Sequence, residues 1–318
     1  MRIALAAIIT LLSYPALACD LDHLEGMSIG WPTPCKVDLL VHPKSNPVPV
    51  KWMKDALRKN CVCSTLISMP TASGSNDKYH KHKKRDTIIV VPDGLENAND
   101  TDIIYWFHGL TGFKHKTFAK RLAPQYSWLV NDQKWPAILV VVEMPWSYFT
   151  KTQWKRQGKV FRKKNEFLEY TKEVEQKIMQ VLGWGRPFRF NRVIIGHSAG
   201  GSAIASAALR GGLCDTNPIG VVFSDSTYGS WFDKAWRGCL GDARRKRKFR
   251  IMVLGQSFGR PWKNFLRWKS KNKMSSKYVE SYRLPTPWTH GRIGNNAIPF
   301  FYNRFLSGKY ENIYQDEK

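Results

Sequence analysis

The sequence predicts an α/β fold in which a doubly wound, mostly parallel sheet is flanked by helices. From Thr87 onward, short apolar or β-branched runs alternate with longer amphipathic ones. One run, Ala137–Val142, is apolar throughout, which is typical of a strand buried on both faces of a parallel sheet. The chain has 318 residues, enough to bury one large core.

Six strands are predicted in this part of the chain. They are Thr87–Val91, Asp102–Phe107, Ala137–Val142, Arg192–Ile195, Ile219–Phe223 and Arg250–Leu254. The clearest helix between them is Glu166–Leu182, because its apolar residues recur at helical spacing and Gly183 follows its end. A further helix, Asn295–Phe305, is predicted near the C-terminus.

Residues 1–18 predict a signal peptide, so we expect a secreted or periplasmic protein. Arg2 supplies positive charge, Ile3–Leu12 is apolar, and Ala16–Ala18 forms a small-x-small cleavage site. A membrane anchor is the alternative, but the apolar run is shorter than the roughly 20 residues that a span requires. Cys19 raises a lipoprotein signal as a second alternative, although such signals usually carry leucine where this chain has Ala16.

Residues 19–86 form a cysteine-containing N-terminal region that ends in a basic loop, with Lys36–His42 as a candidate edge strand. In an exported protein, six cysteines favour disulfides over thiol chemistry. A Cys214–Cys239 bridge would close a loop around one predicted strand, whereas Cys61 and Cys63 lie too close in sequence to pair comfortably. No Cys-x-x-Cys or His-x-x-x-His spacing supports zinc, and we expect neither a metal nor a cofactor.

The chain is strongly basic, with 50 Lys and Arg against 25 Asp and Glu and a net charge of +25. Such a field attracts polyanions. For an exported protein we expect an anionic surface of polysaccharide or lipid as partner, and no nucleic acid. The basic residues cluster, with aromatic residues between them, at Lys151–Lys164, Arg244–Arg250 and Lys263–Lys273. The alternative is that this charge is a solvated face that serves solubility.

The segment Arg192–Gly201 carries the most informative motif. A β-branched strand leads directly into Gly-x-Ser-x-Gly around Ser198, and an alanine-rich helix follows over Ala199–Arg210. A serine at a strained strand-to-helix turn needs small neighbours, because the backbone there is crowded. Ser198 is therefore a candidate nucleophile; the alternative is a tight glycine turn in an ordinary βα unit.

At these residues the chain resembles the α/β-hydrolase superfamily, and more loosely its secreted esterases and polysaccharide-ester hydrolases. The resemblance covers residues 87–318, which we expect to form the catalytic domain. It implies a catalytic serine, acid and histidine in that order along the chain. It also implies that the turn after an earlier strand supplies part of the oxyanion hole.

His290 is the only histidine after Ser198, so the resemblance assigns it as the general base. For the acid, the family's commonest position follows the strand Arg250–Leu254, where this chain has no carboxylate. Asp225 is the leading candidate because it ends the preceding predicted strand, and Glu280 and Asp233 remain alternatives.

The resemblance also implies the oxyanion donors and the substrate-binding surface. The backbone N–H groups of Ala199 and of Leu110, in the His108–Gly112 turn, are the expected oxyanion donors. Four aromatic residues on loops predicted at the rim are candidates for substrate binding: Trp146, Tyr228, Trp231 and Trp288. The alternative is that several of them belong to the core.

The connection Ser226–Phe249 is too short for a large lid, and an open cleft favours a bulky or polymeric ester. The leading hypothesis is an exported carboxylic-ester hydrolase that acts on an envelope or extracellular substrate by a Ser-His-Asp mechanism. A serine peptidase or amidase on the same scaffold is the first alternative. A non-catalytic basic protein that binds anionic surfaces is the second.

Overall fold

The computed structural model describes residues 36–71, 85–95, 98–110, 116–144, 160–183, 188–246, 249–273, 278–285 and 288–306. In these ranges nine strands form one sheet in the order β1-β2-β3-β5-β4-β6-β7-β8-β9. They are β1 (Val37–Val41), β2 (Ser64–Thr71), β3 (Arg85–Pro92), β4 (Asp100–Phe107), β5 (Ala137–Val142), β6 (Arg189–His197), β7 (Pro218–Ser224), β8 (Arg250–Gln256) and β9 (Glu280–Leu284). Strand β3 runs antiparallel to both neighbours, and all other neighbouring strands are parallel.

Helices cover both faces of the sheet. The described helices are α1 (Pro47–Lys59), α2 (Thr117–Ser127), α3 (Glu166–Val181), α4 (Gly200–Ser206), α5 (Trp231–Ala235), α6 (Gly241–Lys246), α7 (Arg260–Lys271), α8 (His290–Gly294) and α9 (Ala297–Leu306). Helices α3, α4, α5 and α7 bury apolar residues in one core layer. Helices α1, α2, α8 and α9 bury theirs in the other. The doubly wound α/β architecture is thereby confirmed.

Strand β4 shows how the sequence divides between the two layers. Ile103, Tyr105 and Phe107 pack into the layer of α3 and α4, whereas Ile104 and Trp106 pack into the layer of α1 and α2. Successive side chains of a strand point to opposite faces, so a strand between two helical layers must be apolar at nearly every position. The neighbouring β5 is buried at every residue, as its sequence predicts.

All six predicted strands are present, and Lys36–His42 contains the edge strand β1. The structure adds α1, β2 and β9, which the sequence analysis did not predict. Strand β2 contains Pro70 and several hydroxyl residues, and the edge strand β9 is only partly buried, so neither shows a long apolar run. Residues 36–71 thus contribute two strands and a helix that pack on the same sheet as the rest.

The expected Cys214–Cys239 disulfide is present. Cys61 and Cys63 are also disulfide-bonded, while Cys19, Cys35 and the predicted signal peptide lie outside the described residues. No helix in the described ranges is both long and apolar enough to cross a bilayer. Between β7 and β8 three consecutive helical segments form one stretch over residues 231–246, and the described residues of this connection form no large lid.

Candidate active site

The Gly-x-Ser-x-Gly segment forms a sharp turn between β6 and α4. Ser198 has a φ of 54°, a left-handed conformation that is costly for a residue with a Cβ atom. Its N–H donates to the Ser224 carbonyl at 3.2 Å. The flanking glycines allow this turn: a Cβ on Gly200 would lie 2.1 Å from the Phe107 carbonyl oxygen, and one on Gly196 would lie 2.9 Å from backbone atoms of Gly200.

Asp225 and His290 meet beside this turn. The Asp225 Oδ2 lies 2.6 Å from the His290 Nδ1, and the carboxylate is buried while the imidazole is 41% exposed. Asp225 also has a positive φ, 45°, and its N–H donates to the Leu254 carbonyl at 2.8 Å. His290 begins α8, whose N-cap Thr289 accepts a hydrogen bond from the Arg292 N–H at 3.2 Å.

Ser198 and His290 line one cavity of about 300 Å³ at the carboxyl ends of β4 and β6. Open α/β sheets place their ligands at this end of the strands. The lining residues are Trp106, His108, Gly109, Leu110, Phe118, Arg121, Leu122, His197, Ser198, His290, Gly294 and Asn295. Three separated parts of the sequence, around residues 108, 198 and 290, therefore meet at this one cavity.

The turn after β4 brings its backbone against Ser198. A Cβ on Gly109 would lie 3.0 Å from the Ser198 Cβ, so glycine permits this approach. The buried His108 fixes the turn: its Nε2 accepts from the Met144 N–H at 3.1 Å, so its Nδ1–H donates to the Gly109 carbonyl at 2.6 Å. Leu110 follows, lines the cavity and is partly exposed.

His197, which precedes Ser198 in the turn, is a further residue of the candidate site. Its ring packs 4.6 Å from the His290 ring, and its Nε2 lies 3.1 Å from the His290 carbonyl oxygen. A carbonyl only accepts, so Nε2 carries the proton. Burial, together with the charge of His290, lowers the pKa of His197 to about 3 and keeps it neutral.

Tyr228 lies beside the candidate catalytic residues Ser198 and His290. Its hydroxyl lies near enough to the Ser198 side chain for that group to affect its pKa, which burial, the largest cause, raises. Its ring meets the His290 ring edge-on at 6.5 Å, and Trp231 packs edge-on against Tyr228 at 5.6 Å. The loop after β7 therefore places an amphipathic aromatic pair beside the serine.

None of the described aromatic candidates, Tyr228, Trp231 and Trp288, is among the residues that line this cavity. Trp288 packs against the Phe300 ring at 5.6 Å and lies under the Arg292 guanidinium at 4.7 Å. Trp146 lies outside the described residues.

The two other candidates for the catalytic acid, Glu280 and Asp233, have partners other than His290. Glu280 forms two hydrogen bonds with Arg250, at 2.9 and 3.0 Å, at the start of β9. Asp233 accepts from the Trp268 indole N–H at 3.2 Å and pairs with Arg237. Of the three candidates, Asp225 is the one that contacts His290.

The sequence profile of an esterase family, described as "Putative esterase", matches residues 80–300, more than half of the chain. The chain belongs to this family. It is an enzyme, a serine carboxylic ester hydrolase of the α/β-hydrolase fold, and the non-catalytic and peptidase alternatives are set aside. No curated protein sequence matches this esterase significantly.

Solved structures with similar folds include an IroE-like serine hydrolase from Shewanella oneidensis, at 17% identity, covering 75% of this chain and 80% of that one with a TM-score of 0.46. The feruloyl esterase module from Clostridium thermocellum complexed with sinapinate has 13% identity, coverages of 74% and 87%, and a TM-score of 0.48. The fluorophosphonate-binding serine hydrolase FphF from Staphylococcus aureus has 12% identity, coverages of 74% and 98%, and a TM-score of 0.45.

Proposed function

We propose that the esterase acts through an acyl-enzyme formed on Ser198, with His290 as general base and Asp225 as the residue that orients it. The observation that carries this proposal is the 2.6 Å contact between the Asp225 Oδ2 and the His290 Nδ1 at the rim of the cavity that Ser198 lines. The carboxylate accepts a hydrogen bond from the Nδ1–H group, which leaves the unprotonated Nε2 free to accept the serine proton.

The reaction then follows from this arrangement. The Ser198 Oγ attacks the ester carbonyl carbon while its proton passes to the His290 Nε2. The tetrahedral intermediate collapses, the ester C–O bond breaks, and the alcohol leaves with the proton from Nε2. Water then attacks the acyl-enzyme by the same route and releases the acid. Asp225 stays ionised and stabilises the imidazolium.

The proposed oxyanion donors are the backbone N–H groups of Ala199 and Leu110. Ala199 is the N-cap of α4, where the first amides have no partner within the helix. Leu110 follows Gly109, whose backbone lies against Ser198. Two such N–H groups stabilise the charge that develops on the carbonyl oxygen.

The cavity supports a substrate of which only a small part is enclosed. A volume of about 300 Å³ is at the lower end for ligand pockets. The rest of a polymeric or bulky ester would lie outside, against Tyr228 and Trp231. An ester of a polysaccharide or lipid, with a small part inside the cavity and the rest outside, fits this arrangement. The disulfide-bonded cysteines support the proposed export to an oxidising compartment.

We further propose that the basic surface docks the enzyme on an anionic polymer or membrane. Exposed cations cover the outer face of α7, including Lys263, Arg267 and Lys271, and a separate open hollow is lined by Arg162, Lys163, Lys164 and Arg210. Of the aromatic residues between the basic residues, the four that the structure describes do not take part, because Phe161, Phe249, Phe265 and Trp268 are buried. The described aromatic interleaving is thus a feature of the core.

Salt dependence tests this docking. Exposed charges are screened over about 10 Å at 0.1 M salt, so hydrolysis on anionic vesicles should fall steeply with salt while that of a soluble neutral ester stays level. Replacing Lys263, Arg267 and Lys271 together by glutamate should remove the difference. Parallel salt curves for the two substrates would rule the docking out.

The catalytic proposal is tested by labelling with a fluorophosphonate probe and by steady-state rates on 4-nitrophenyl acetate. Ser198→Ala should abolish labelling and lower kcat at least about 10⁴-fold, and His290→Ala should do nearly the same, because the groups act as a unit. Ser202→Ala is the matched control, since this hydroxyl only donates to the Ala199 carbonyl at 2.8 Å. Near-native turnover in Ser198→Ala would refute the proposal.

A further inference from the structure

Arg121 lies on α2 and lines the same cavity as Ser198 and His290. Its Nη2 is placed against the turn that carries the base, 3.4 Å from where a Cβ on Gly291 would lie. Its charge is also one of those that lower the pKa of His197. The guanidinium is therefore close to the reacting groups, although it takes no part in the proposed proton transfers.

The Arg121 guanidinium has no counterion among the described residues. In the described part of the chain its guanidinium has no hydrogen bond or ion pair, and only its backbone carbonyl accepts a bond, from Gln125 at 3.2 Å. The acid nearest the site, Asp225, is buried behind the imidazole that it binds. A partly buried arginine is normally paired, since desolvation of an unpaired charge is costly.

The remaining cavity wall is mostly apolar. Trp106, Leu110, Phe118 and Leu122 form this apolar part, and no carboxylate is among the described lining residues. A single cation in an apolar cavity selects a ligand group that carries both apolar surface and a negative charge. Arginine suits a carboxylate best, because its planar fork of N–H donors matches the two carboxylate oxygens.

We propose that Arg121 is a specificity residue that binds a carboxylate on the part of the substrate that enters the cavity, so that the enzyme prefers esters with an anionic group near the scissile bond. This inference rests on the proposed function, because it requires the ester to bind at Ser198. The carboxylate can belong to the acyl or to the alcohol side of the ester.

Two matched substrate pairs test this and separate the two sides. For the acyl side, 4-nitrophenyl hemisuccinate is compared with 4-nitrophenyl butyrate. For the alcohol side, 3-carboxyphenyl acetate is compared with phenyl acetate. In one of these pairs Arg121→Gln should lower the ratio of kcat/KM for the anionic ester to that for the neutral ester about ten- to a hundredfold, as expected for the loss of a charge-assisted hydrogen bond.

Two further variants control the experiment. Lys120→Gln removes the same charge from the exposed neighbour on α2 and should leave both ratios within twofold. Arg121→Lys keeps the charge but loses the fork, so its ratio should be intermediate. If thermal melting shows that Arg121→Gln does not fold, Arg121→Lys replaces it in the same comparison.

The outcomes are distinct. If Arg121→Gln, or Arg121→Lys in its place, leaves both ratios within twofold of wild type, the inference is wrong although the catalytic proposal stands. The same holds if Lys120→Gln lowers the ratio as much, because the effect would then be one of general charge. If the wild-type protein neither cleaves any of the four esters nor reacts with a fluorophosphonate, the proposed function itself has failed.

Discussion

Two buried carboxylates lie at opposite ends of the central strands, and their surroundings differ. Asp225 follows the carboxyl end of β7, whereas Asp102 lies near the amino end of β4. Both are almost completely buried. Asp102 accepts from the Tyr302 hydroxyl at 2.8 Å and from the Trp135 indole N–H at 3.0 Å, groups that do not titrate near neutral pH. Asp225 instead binds the half-exposed imidazole of His290.

The backbone conformation also differs between the two ends. Asp225 and Ser198 both have positive φ angles, whereas Asp102 lies within the regular strand β4, which pairs with β5 and β6. Strained conformations cost free energy of folding and persist where the surrounding structure enforces them. Burial of a carboxylate therefore does not by itself distinguish the proposed catalytic site from the other end of the sheet. The distinguishing features are a titratable partner, a strained turn and an adjoining cavity.

The largest difference between the two ends should appear in turnover. Asp225→Asn should lower kcat by about 10⁴-fold, because the amide no longer fixes the His290 tautomer or stabilises the imidazolium. Asp102→Asn should leave kcat within about twofold, since this group lies at the far end of β4. Rates on 4-nitrophenyl acetate, with circular dichroism to verify folding, measure both. A comparable loss in the two variants would contradict the comparison.

The second difference should appear in stability. At the amino end of β6, Glu175 binds Arg192 through two contacts of 2.6 Å and accepts from the Tyr105 hydroxyl at 3.1 Å. Glu175→Ala leaves the arginine unpaired in a largely buried setting and should cost about 3 kcal/mol in the free energy of unfolding. The catalytic rate of the folded fraction should not change.

A matched control lies on the same helix, where the exposed Glu169 pairs with Lys172 at 3.4 Å. Glu169→Ala should have little effect, because exposed pairs contribute little to stability. Urea unfolding of both variants gives the measurement. An equal loss of unfolding free energy in the two variants would show that the Glu175–Arg192 pair stabilises the fold no more than the exposed pair does.

A third, smaller difference should appear in the pH dependence of stability. The pKa of His197 falls from 6.5 to about 3 on folding, and that of Asp102 rises from 3.8 to about 6. Between about pH 4 and 6 the unfolded chain holds a proton on His197 that the native state lacks, so this term raises stability as pH rises. The native state holds a proton on Asp102 that the unfolded chain lacks, so this second term lowers stability as pH rises.

Each term amounts to about 1.4 kcal/mol per pH unit, and the two oppose each other in this window. Asp102→Asn should therefore make the free energy of unfolding rise more steeply with pH than in wild type, by about that slope. His197→Gln should shift the slope in the opposite direction. Urea titrations at pH 4, 5 and 6 test this, and slopes equal to wild type in both variants would exclude these protonation states.

The sequence predicted the central part of the molecule well because local and tertiary signals agree there. Strands β4 to β8 are buried on both faces, so their apolar runs are visible without any knowledge of neighbours. Strands β2 and β9 are less apolar, and their place in the sheet depends on pairing with distant strands. Such pairing leaves no short-range pattern.

Prediction of the candidate site from the sequence is limited in the same way. Ser198 lies in a contiguous motif, and His290 could be reached by elimination through the family resemblance. Arg121 lies in no motif, and His197 occupies a variable position of Gly-x-Ser-x-Gly, so neither is marked as a site residue by the sequence pattern. Their proximity to His290 arises only when β6, α2 and α8 pack together. The Gly294 beside the His197 ring, where a Cβ would lie 2.7 Å away, has meaning only in that packing.

The smallest expected effect concerns the two carboxylates that competed with Asp225 for the role of the acid. Asp233 accepts from the Trp268 indole, and its charge pairs with the mostly exposed Arg237, so Asp233→Asn keeps an acceptor and loses only a screened interaction. Glu280→Gln loses more, because it leaves the buried Arg250 with a neutral partner. We expect at most about 1 kcal/mol of destabilisation for Asp233→Asn and a larger value for Glu280→Gln, with kcat within twofold of wild type in both. Turnover and urea unfolding measured on the same preparations decide this. A loss of several powers of ten in kcat for either variant, without unfolding, would move the acid away from Asp225 and remove the basis for contrasting the two ends of the sheet.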